Sequence, residues 1–427
     1  MGTTTSAVPW WKEPTKDQWY AYTAAWLGWT LDAFDFTIFL LIMVPIAKEF
    51  DVALTAVTAV FTVTLWLRLV GATAAGWMAD RMGRKTPLMI SILWYSICNF
   101  IAGFSPTFAF LFFFRAILGI GMGAEWPAGA ALAMESWPTR SRGFMSGILQ
   151  GSWGLGFALS ALAYGFLYDA IGWRGLLWIG ILPAFVVIWV RIYVKEPEVW
   201  VENQRQQKAN ATHVSTPLFS IFKRGLLYNT LTAIVWMAAA FCVYYSIWAL
   251  FSTYLQKELH WTPLMVATPL FWANIVVFVG SGFWGYVADR YGRRWAIIVP
   301  ALIAILITPV YLVTTDPMWI IGGFIVQGMF GGSIYGQNPS YLSERFPTEV
   351  RATASGFVYH QGAIWGGLVA PVLTYFAVQM NMGFAMPMLI GTNVFLIVVA
   401  IAVYLGPETK GQHLVADLQV IKAAEFP

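Results

Sequence analysis

Residues 76–85 read GWMADRMGRK, and 209 positions later residues 285–294 read GYVADRYGRR. The same offset carries Glu135, Pro138, Thr139 and Arg142 onto Glu344, Pro347, Thr348 and Arg351. It also carries Gly119 and Gly123 onto Gly328 and Gly332, and Gly147 onto Gly356. One register held at four places is an internal duplication.

The duplicated unit is a set of membrane spans. Hydrophobic residues make up 59% of the 427-residue chain and charged residues only 11%, against roughly 25% charged in soluble domains. A helix needs about 20 apolar residues to cross a hydrocarbon core. Twelve segments meet that length: about 20–47, 55–79, 86–104, 107–134, 143–169, 175–194, 226–256, 263–288, 295–314, 317–343, 352–380 and 384–405. They are numbered below as spans one to twelve. These are helical lengths, not the ten-residue alternating strands of a barrel. The expected fold is therefore all-α and membrane-embedded, with two pseudo-symmetric six-helix bundles. Residues 1–194 form the first bundle, 195–225 a polar linker, 226–405 the second bundle and 406–427 a tail. Two repeated halves with a site between them is the build of a secondary transporter.

Charge sets the expected orientation. Of 25 Lys and Arg, Arg68 and Arg115 lie inside spans, and Lys48, Arg174 and Lys257 lie on one side. The other 20 gather on the opposite side, which the positive-inside rule makes cytoplasmic, together with both termini. The net charge of +4 expresses this bias and implies no nucleic-acid partner. No cleavable signal peptide is expected, because the first apolar run is a full span. Cys98 and Cys242 fall in spans and read as packing residues.

The two ADRxGR loops resemble the signature between helices two and three of the major facilitator superfamily, here present in both halves. The E-x-x-P-T-x-x-R pieces at 135–142 and 344–351 resemble its partner motif after helices four and ten. The resemblance implies rocker-switch alternating access, with a gating set of Gly76, Asp80, Arg81, Gly83, Arg84, Glu135 and Arg142. Its second copy is Asp289, Arg290, Gly292, Arg293, Glu344 and Arg351. Asp80 and Asp289 are expected either to cap a neighbouring helix or to pair with Arg142 and Arg351, latching the halves on the basic side.

Ionisable residues inside a membrane are costly and functional by default. All the acidic and cationic ones sit in the first half: Asp32, Asp35, Arg68, Arg115 and Glu125. Their counterparts 209 residues on are Phe241, Tyr244, Val277, Phe324 and Ile334. The second half offers Asn274, Gln327, Gln337, Asn338, His360 and Gln361. This asymmetry points to one half handling protons and substrate charge while the other supplies hydrogen bonds and stacking. Arg68 stands 12 residues above Asp80, about 18 Å at 1.5 Å per residue, close to the midplane. It is the expected anchor for an anion, with Gln337, Asn338, His360, Gln361, Asn274 and Tyr335 as bonds from the other half. Asp35 and Arg115 are expected to pair as a proton switch, and Asp32 and Glu125 are further proton candidates. Glycines 119, 121, 123, 143, 147 and 151 read as close helix packing. Trp126, Tyr244, Tyr245, Trp248, Tyr335 and Trp365 lie near midspan as possible cavity walls, though packing explains most aromatics.

Within the superfamily, WLGWTLDAFDFTIF at 26–39 resembles the sialate:proton symporter family of bacterial sialic acid carriers and fungal lactate permeases. Arg68, the RxxxGxGxxxE pattern from Arg115 to Glu125 and ESWP at 135–138 extend the match. Aromatic-acid:proton carriers are a weaker match. The 31-residue linker leaves no room for the extra helical pair of some sialic acid carriers, and span seven lacks the lactate-permease pattern. In these relatives the helix-one aspartate and helix-four arginine are implicated in proton coupling, which the resemblance carries to Asp35 and Arg115. The expectation is a monomeric proton:organic-carboxylate symporter of a bacterial inner membrane, its substrate a sialic acid-type sugar acid or a short monocarboxylate. An aromatic-acid symporter and an uncoupled sugar or sugar-acid facilitator are the alternatives. Four scattered histidines, no Walker loop and no cysteine pair argue against an enzyme, a cofactor or a metal.

Overall fold

A computed structural model describes residues 9–210, 217–261 and 263–416. The part of the linker that holds His213 and the tail beyond 416 lie outside the described residues. Among the described residues the chain is helical throughout, with no strand.

In the first half the helices run Lys16–Glu49, Leu54–Met82, Lys85–Ala102, Phe108–Ser136, Arg142–Ile179 and Ala184–Tyr193. The helix Arg142–Ile179 covers two spans, because Gly172 at φ 63 breaks its line. A positive φ suits glycine, and residues 173–179 turn back as the start of span six. In the second half the helices Arg224–Ile247, Pro263–Tyr291, Trp295–Leu312, Arg351–Gln379 and Ala385–Leu405 carry spans seven, eight, nine, eleven and twelve. Span ten is broken. Pro317–Gln327 gives way to a π turn at Gly328–Gly332 and a 3-10 turn at Ser333–Gln337 before helix resumes at Asn338–Arg345. Four glycines weaken the helix there, and Pro339 restarts it at the first turn, where a missing N–H costs nothing.

The ends are specified locally. Thr15 and Gln18 form a capping box before span one, Thr107 caps span four, and Asp316 caps span ten ahead of Pro317. Gly83 (φ 100) and Gly292 (φ 115) end spans two and eight at equivalent places in the repeat.

Nine of these helices are long and apolar enough to cross a membrane on composition alone. Spans three, five and eleven complete the twelve. Spans five and eleven are the most telling, because each is rich in glycine and packs across the molecular axis. Span five packs on span eight, and span two on span eleven. At those seams a Cβ on Gly143 or Gly147 would run into the backbone of Gly285 or Ser281, and one on Gly76 into Ala352 and Thr353. Glycine is what lets the backbones of the two halves meet. Gly119 and Gly123 likewise seat span four on Thr64 and Arg68 of span two. Large apolar side chains such as Phe166, Phe185 and Leu306 point outward, as bilayer contact requires.

Candidate functional site

A cavity of about 60 Å³ lies between the halves, lined from spans one, two and five on one side and seven, eight, ten and eleven on the other. Its only ionic wall is Arg68 of span two. The Arg68 guanidinium donates through Nη2 to Oδ2 of Asp32 on span one. It lies 5.0 Å from the Phe36 ring centre and 5.6 Å from that of Trp153. The facing wall includes Phe241 and Val277, the repeat counterparts of Asp32 and Arg68. Charge on one wall therefore meets uncharged residues on the other.

The structure revises several expectations. Arg68 is not a lone cation, because Asp32 occupies one edge of its guanidinium, while Nε is left without a partner. Asn274, Tyr335 and His360 line the cavity with Arg68. Gln337, Asn338 and Gln361 do not. Gln361 follows His360 by one residue and so faces another way round the helix, donating to the carbonyls of Ile234 and Val358. Gln337 and Asn338 sit at the break in span ten, where Ser146 of span five donates to the Gly336 carbonyl at 2.8 Å. Tyr244, Tyr245 and Trp248 line the cavity, whereas Trp126 stacks on Tyr359 at 4.0 Å between centroids. Trp365 is 55% exposed and lines a separate apolar groove of about 750 Å³ between spans seven, eleven and twelve, with no charged residue in its described lining.

Asp35 and Arg115 do not form an ion pair among the described residues. Arg115 Nη1 donates to Asn99 Oδ1 at 2.8 Å, and both Asp35 oxygens are buried without a hydrogen-bond partner. A Cβ placed on Gly180 would meet both the Asn99 amide nitrogen and Asp35 Oδ1, so the amide of Asn99 stands beside both charges. Glu125 is buried against Gly28 of span one, where a Cβ would come within 2.6 Å of Oε1, and it does not line the cavity.

Sequence reasoning missed Trp29, Gln150, Trp153, Phe241 and Tyr359 as cavity residues. One of them carried a signal. Gln150 Nε2 donates to the Tyr359 hydroxyl at 3.1 Å across a separation of 209 residues, so repeat equivalents bond each other across the axis.

On the basic side the two halves are joined by two latches related by the duplication. Asp80 accepts from the Ala352 and Thr353 amides at 3.1 and 2.9 Å and from the Thr353 hydroxyl at 2.7 Å, capping span eleven. Asp289 accepts from the Gly143 and Phe144 amides at 2.8 Å each, capping span five. Of the two arrangements expected, the aspartates take the cap. Their ionic partners are Arg84 and Arg293, not Arg142 or Arg351. Those two arginines bind glutamates of the opposite half: Glu135 joins Arg84 (2.8 Å) to Arg351 (2.6 Å), and Glu344 joins Arg293 (2.9 Å) to Arg142 (3.3 Å). Burial opposes the charge on Arg84, yet Glu135 and Asp80 outweigh it and hold the guanidinium above its usual range. Arg293 is raised the same way by Glu344 and Asp289.

Arg81 and Arg290 stay at the surface edge, Arg81 over Trp77 and Arg290 donating to Tyr286. Two further acids join the latches. Glu196 accepts from the Arg84 and Lys85 amides, and Glu408 from those of Arg293 and Arg294. Each sits against the positive-φ glycine of its loop.

The Major Facilitator Superfamily model matches residues 25–280 and 237–419, which together cover most of the chain. The chain belongs to the major facilitator superfamily. It is 28% identical to the sialic acid transporter NanX of Escherichia coli over 88% of this chain and 92% of that one. It is 30% identical to a probable 4-methylmuconolactone transporter of Cupriavidus pinatubonensis over 85% of each. Among solved structures it is similar to the proton:xylose symporter XylE, with a TM-score of 0.74 and 15% identity over 95% of this chain and 99% of that one. That last likeness speaks for the fold. This facilitator-superfamily chain is thus an integral membrane transport protein and not an enzyme.

Proposed function

We propose that this transporter is a proton-coupled importer of a small organic carboxylate, and the observation that carries the reading is the Asp32–Arg68 ion pair on the cavity wall. A single guanidinium facing an otherwise uncharged cavity is suited to one carboxylate, which it can grip through two parallel bonds. Asp32 takes one of those donors through Oδ2. Protonating Asp32 removes its charge and leaves Arg68 free for the substrate, and losing the substrate returns Arg68 to ionised Asp32. Proton and anion then load together without a net charge being buried, which a membrane interior would penalise. Asp35, Asn99 and Arg115 form a second polar site deeper in the first half, whose role is to hold the proton relay apart from the substrate. The likeness to a sialic acid transporter and a probable 4-methylmuconolactone transporter supports an organic substrate.

The basic face is read as cytoplasmic, with both termini inside a bacterial inner membrane and the protein working as a monomer. Residues 1–194 and 226–405 are read as the two moving bundles. In that frame the latches keep the cytoplasmic side closed, and breaking them opens the cavity inward. Arg68→Gln tests the substrate assignment. Losing a charge-assisted bond costs about 1.5–3 kcal/mol, or about 10- to 150-fold in affinity. A carboxylate should lose that affinity while its neutral amide should bind wild type and variant alike. Equal competition by acid and amide on the wild type would remove the anion reading.

A further inference from the structure

The walls of the cavity say what shape of carboxylate it takes, given the anion reading above. Three tyrosine side chains at the cavity are held in place by hydrogen bonds to the protein. Tyr244 accepts from Trp153 Nε1 at 3.1 Å, Tyr359 accepts from Gln150, and Tyr335 donates to the Ala240 carbonyl. Asn274 donates its amide to the Leu270 carbonyl at 2.8 Å. With these side chains held, the wall offers a ligand mainly ring faces and edges. The rings come from both halves, Trp29 and Trp153 from one and Phe241, Tyr245, Trp248 and Tyr359 from the other. The cavity's about 60 Å³ is small beside the 300–1,000 Å³ of pockets that enclose drug-sized ligands.

Among the described lining residues of the second half, Ser281 Oγ and His360 Nε2 are buried without a hydrogen-bond partner, and of the two only the ring nitrogen is a pure acceptor. His360 is buried, and its Nδ1 lies 3.1 Å from the Gly356 carbonyl, an acceptor, so Nδ1 carries the proton. Nε2 of the neutral ring is then a bare lone pair, without a partner among the described residues. His360 lines the same cavity as the donor-only guanidinium of Arg68. A ligand that satisfies both carries a carboxylate at one end and an O–H or N–H on its body.

We infer that the substrate is a flat, unsaturated carboxylate, aromatic or conjugated, with a hydrogen-bond donor on its ring or chain. The carboxylate seats on Arg68, the plane lies among the aromatic side chains, and the donor meets His360 Nε2. A nine-carbon sugar acid, puckered and bulky, has no flat face to lay against these rings.

The test is calorimetric titration of the purified full-length transporter with benzoate, the three hydroxybenzoates, cyclohexanecarboxylate, lactate, sialic acid and benzamide. Each aromatic contact strengthens binding by about 2- to 12-fold, so benzoate should bind at least tenfold tighter than cyclohexanecarboxylate, which differs only in being saturated and puckered. At least one hydroxybenzoate should bind tighter than benzoate, and the ratio of the two affinities should fall to about one in His360→Leu. Tyr245→Leu should weaken benzoate and leave lactate unmoved. Cyclohexanecarboxylate or sialic acid matching benzoate, with binding lost in Arg68→Gln, would overturn the flat substrate and leave the carboxylate reading standing. No hydroxybenzoate exceeding benzoate would overturn the donor. Benzamide matching benzoate, or no acid binding at all, would overturn both readings together.

Discussion

Replacing Asp80 with asparagine should spring the latch on the basic face. The Asp80 carboxylate accepts three bonds from span eleven, at 3.1, 2.9 and 2.7 Å, and pairs with Arg84 at 3.0 Å. Asparagine keeps one acceptor oxygen, loses the other and loses the charge. The loss amounts to one charge-assisted bond, about 1.5–3 kcal/mol. From a starting ratio of about 1:99 inward-open to closed, that raises the open form to about 10–60%. Met82 and Tyr291 report it well, since they are repeat equivalents, one on each half, 56% and 64% exposed beside the two loops. Spin labels on cysteines placed at both positions, in a chain lacking Cys98 and Cys242, should show a second, longer distance population in Asp80→Asn. Asp289→Asn should do the same from the other latch, where two amide bonds are at stake. Unchanged distances in both variants would refute the latch and leave the doubled loops as topology signals only.

Two further outcomes follow from the charge network. Asp35→Asn should abolish uphill uptake driven by a proton gradient in proteoliposomes while leaving substrate exchange, and accumulation equal to wild type would remove Asp35 from the coupling path. Arg68→Lys should recover only part of the affinity lost in Arg68→Gln, because lysine keeps the charge but not the two-pronged donor; full recovery in a binding titration would mean that charge alone holds the anion.

The fold was legible because the duplication repeats whole motifs at one offset, and because loops in a membrane protein must carry the charge that spans cannot. The latch acids and arginines were legible for the same reason, although which arginine met which acid was not. Offsets say which residues are equivalent and leave open which of them cross over: Glu135 reaches Arg351 of the other half, not Arg142 of its own. Glu196 and Glu408 escaped the search because they are 212 residues apart and so fall out of the common register. The cavity was harder to read. Spans that are apolar all round do not reveal which face looks inward, so His360 and Gln361, adjacent in sequence, were weighed equally and proved to face different surroundings. Asp32 and Asp35 raised the same ambiguity. One turn apart on span one, they meet different surroundings: Asp32 pairs with Arg68 of span two, while Asp35 lies beside Asn99 of span three without a hydrogen-bond partner among the described residues.

The central claim is that ionised Asp32 and the substrate carboxylate compete for Arg68, and its most direct test is proton uptake on binding. Benzoate and lactate, each titrated at pH 8 into weakly buffered purified protein with a pH indicator, should draw about one proton from solution per carboxylate bound. Asp32→Asn should bind the same acid with no proton uptake and with an affinity that no longer falls as pH rises. Binding to the wild type without proton uptake, or equal uptake by Asp32→Asn, would contradict the competition.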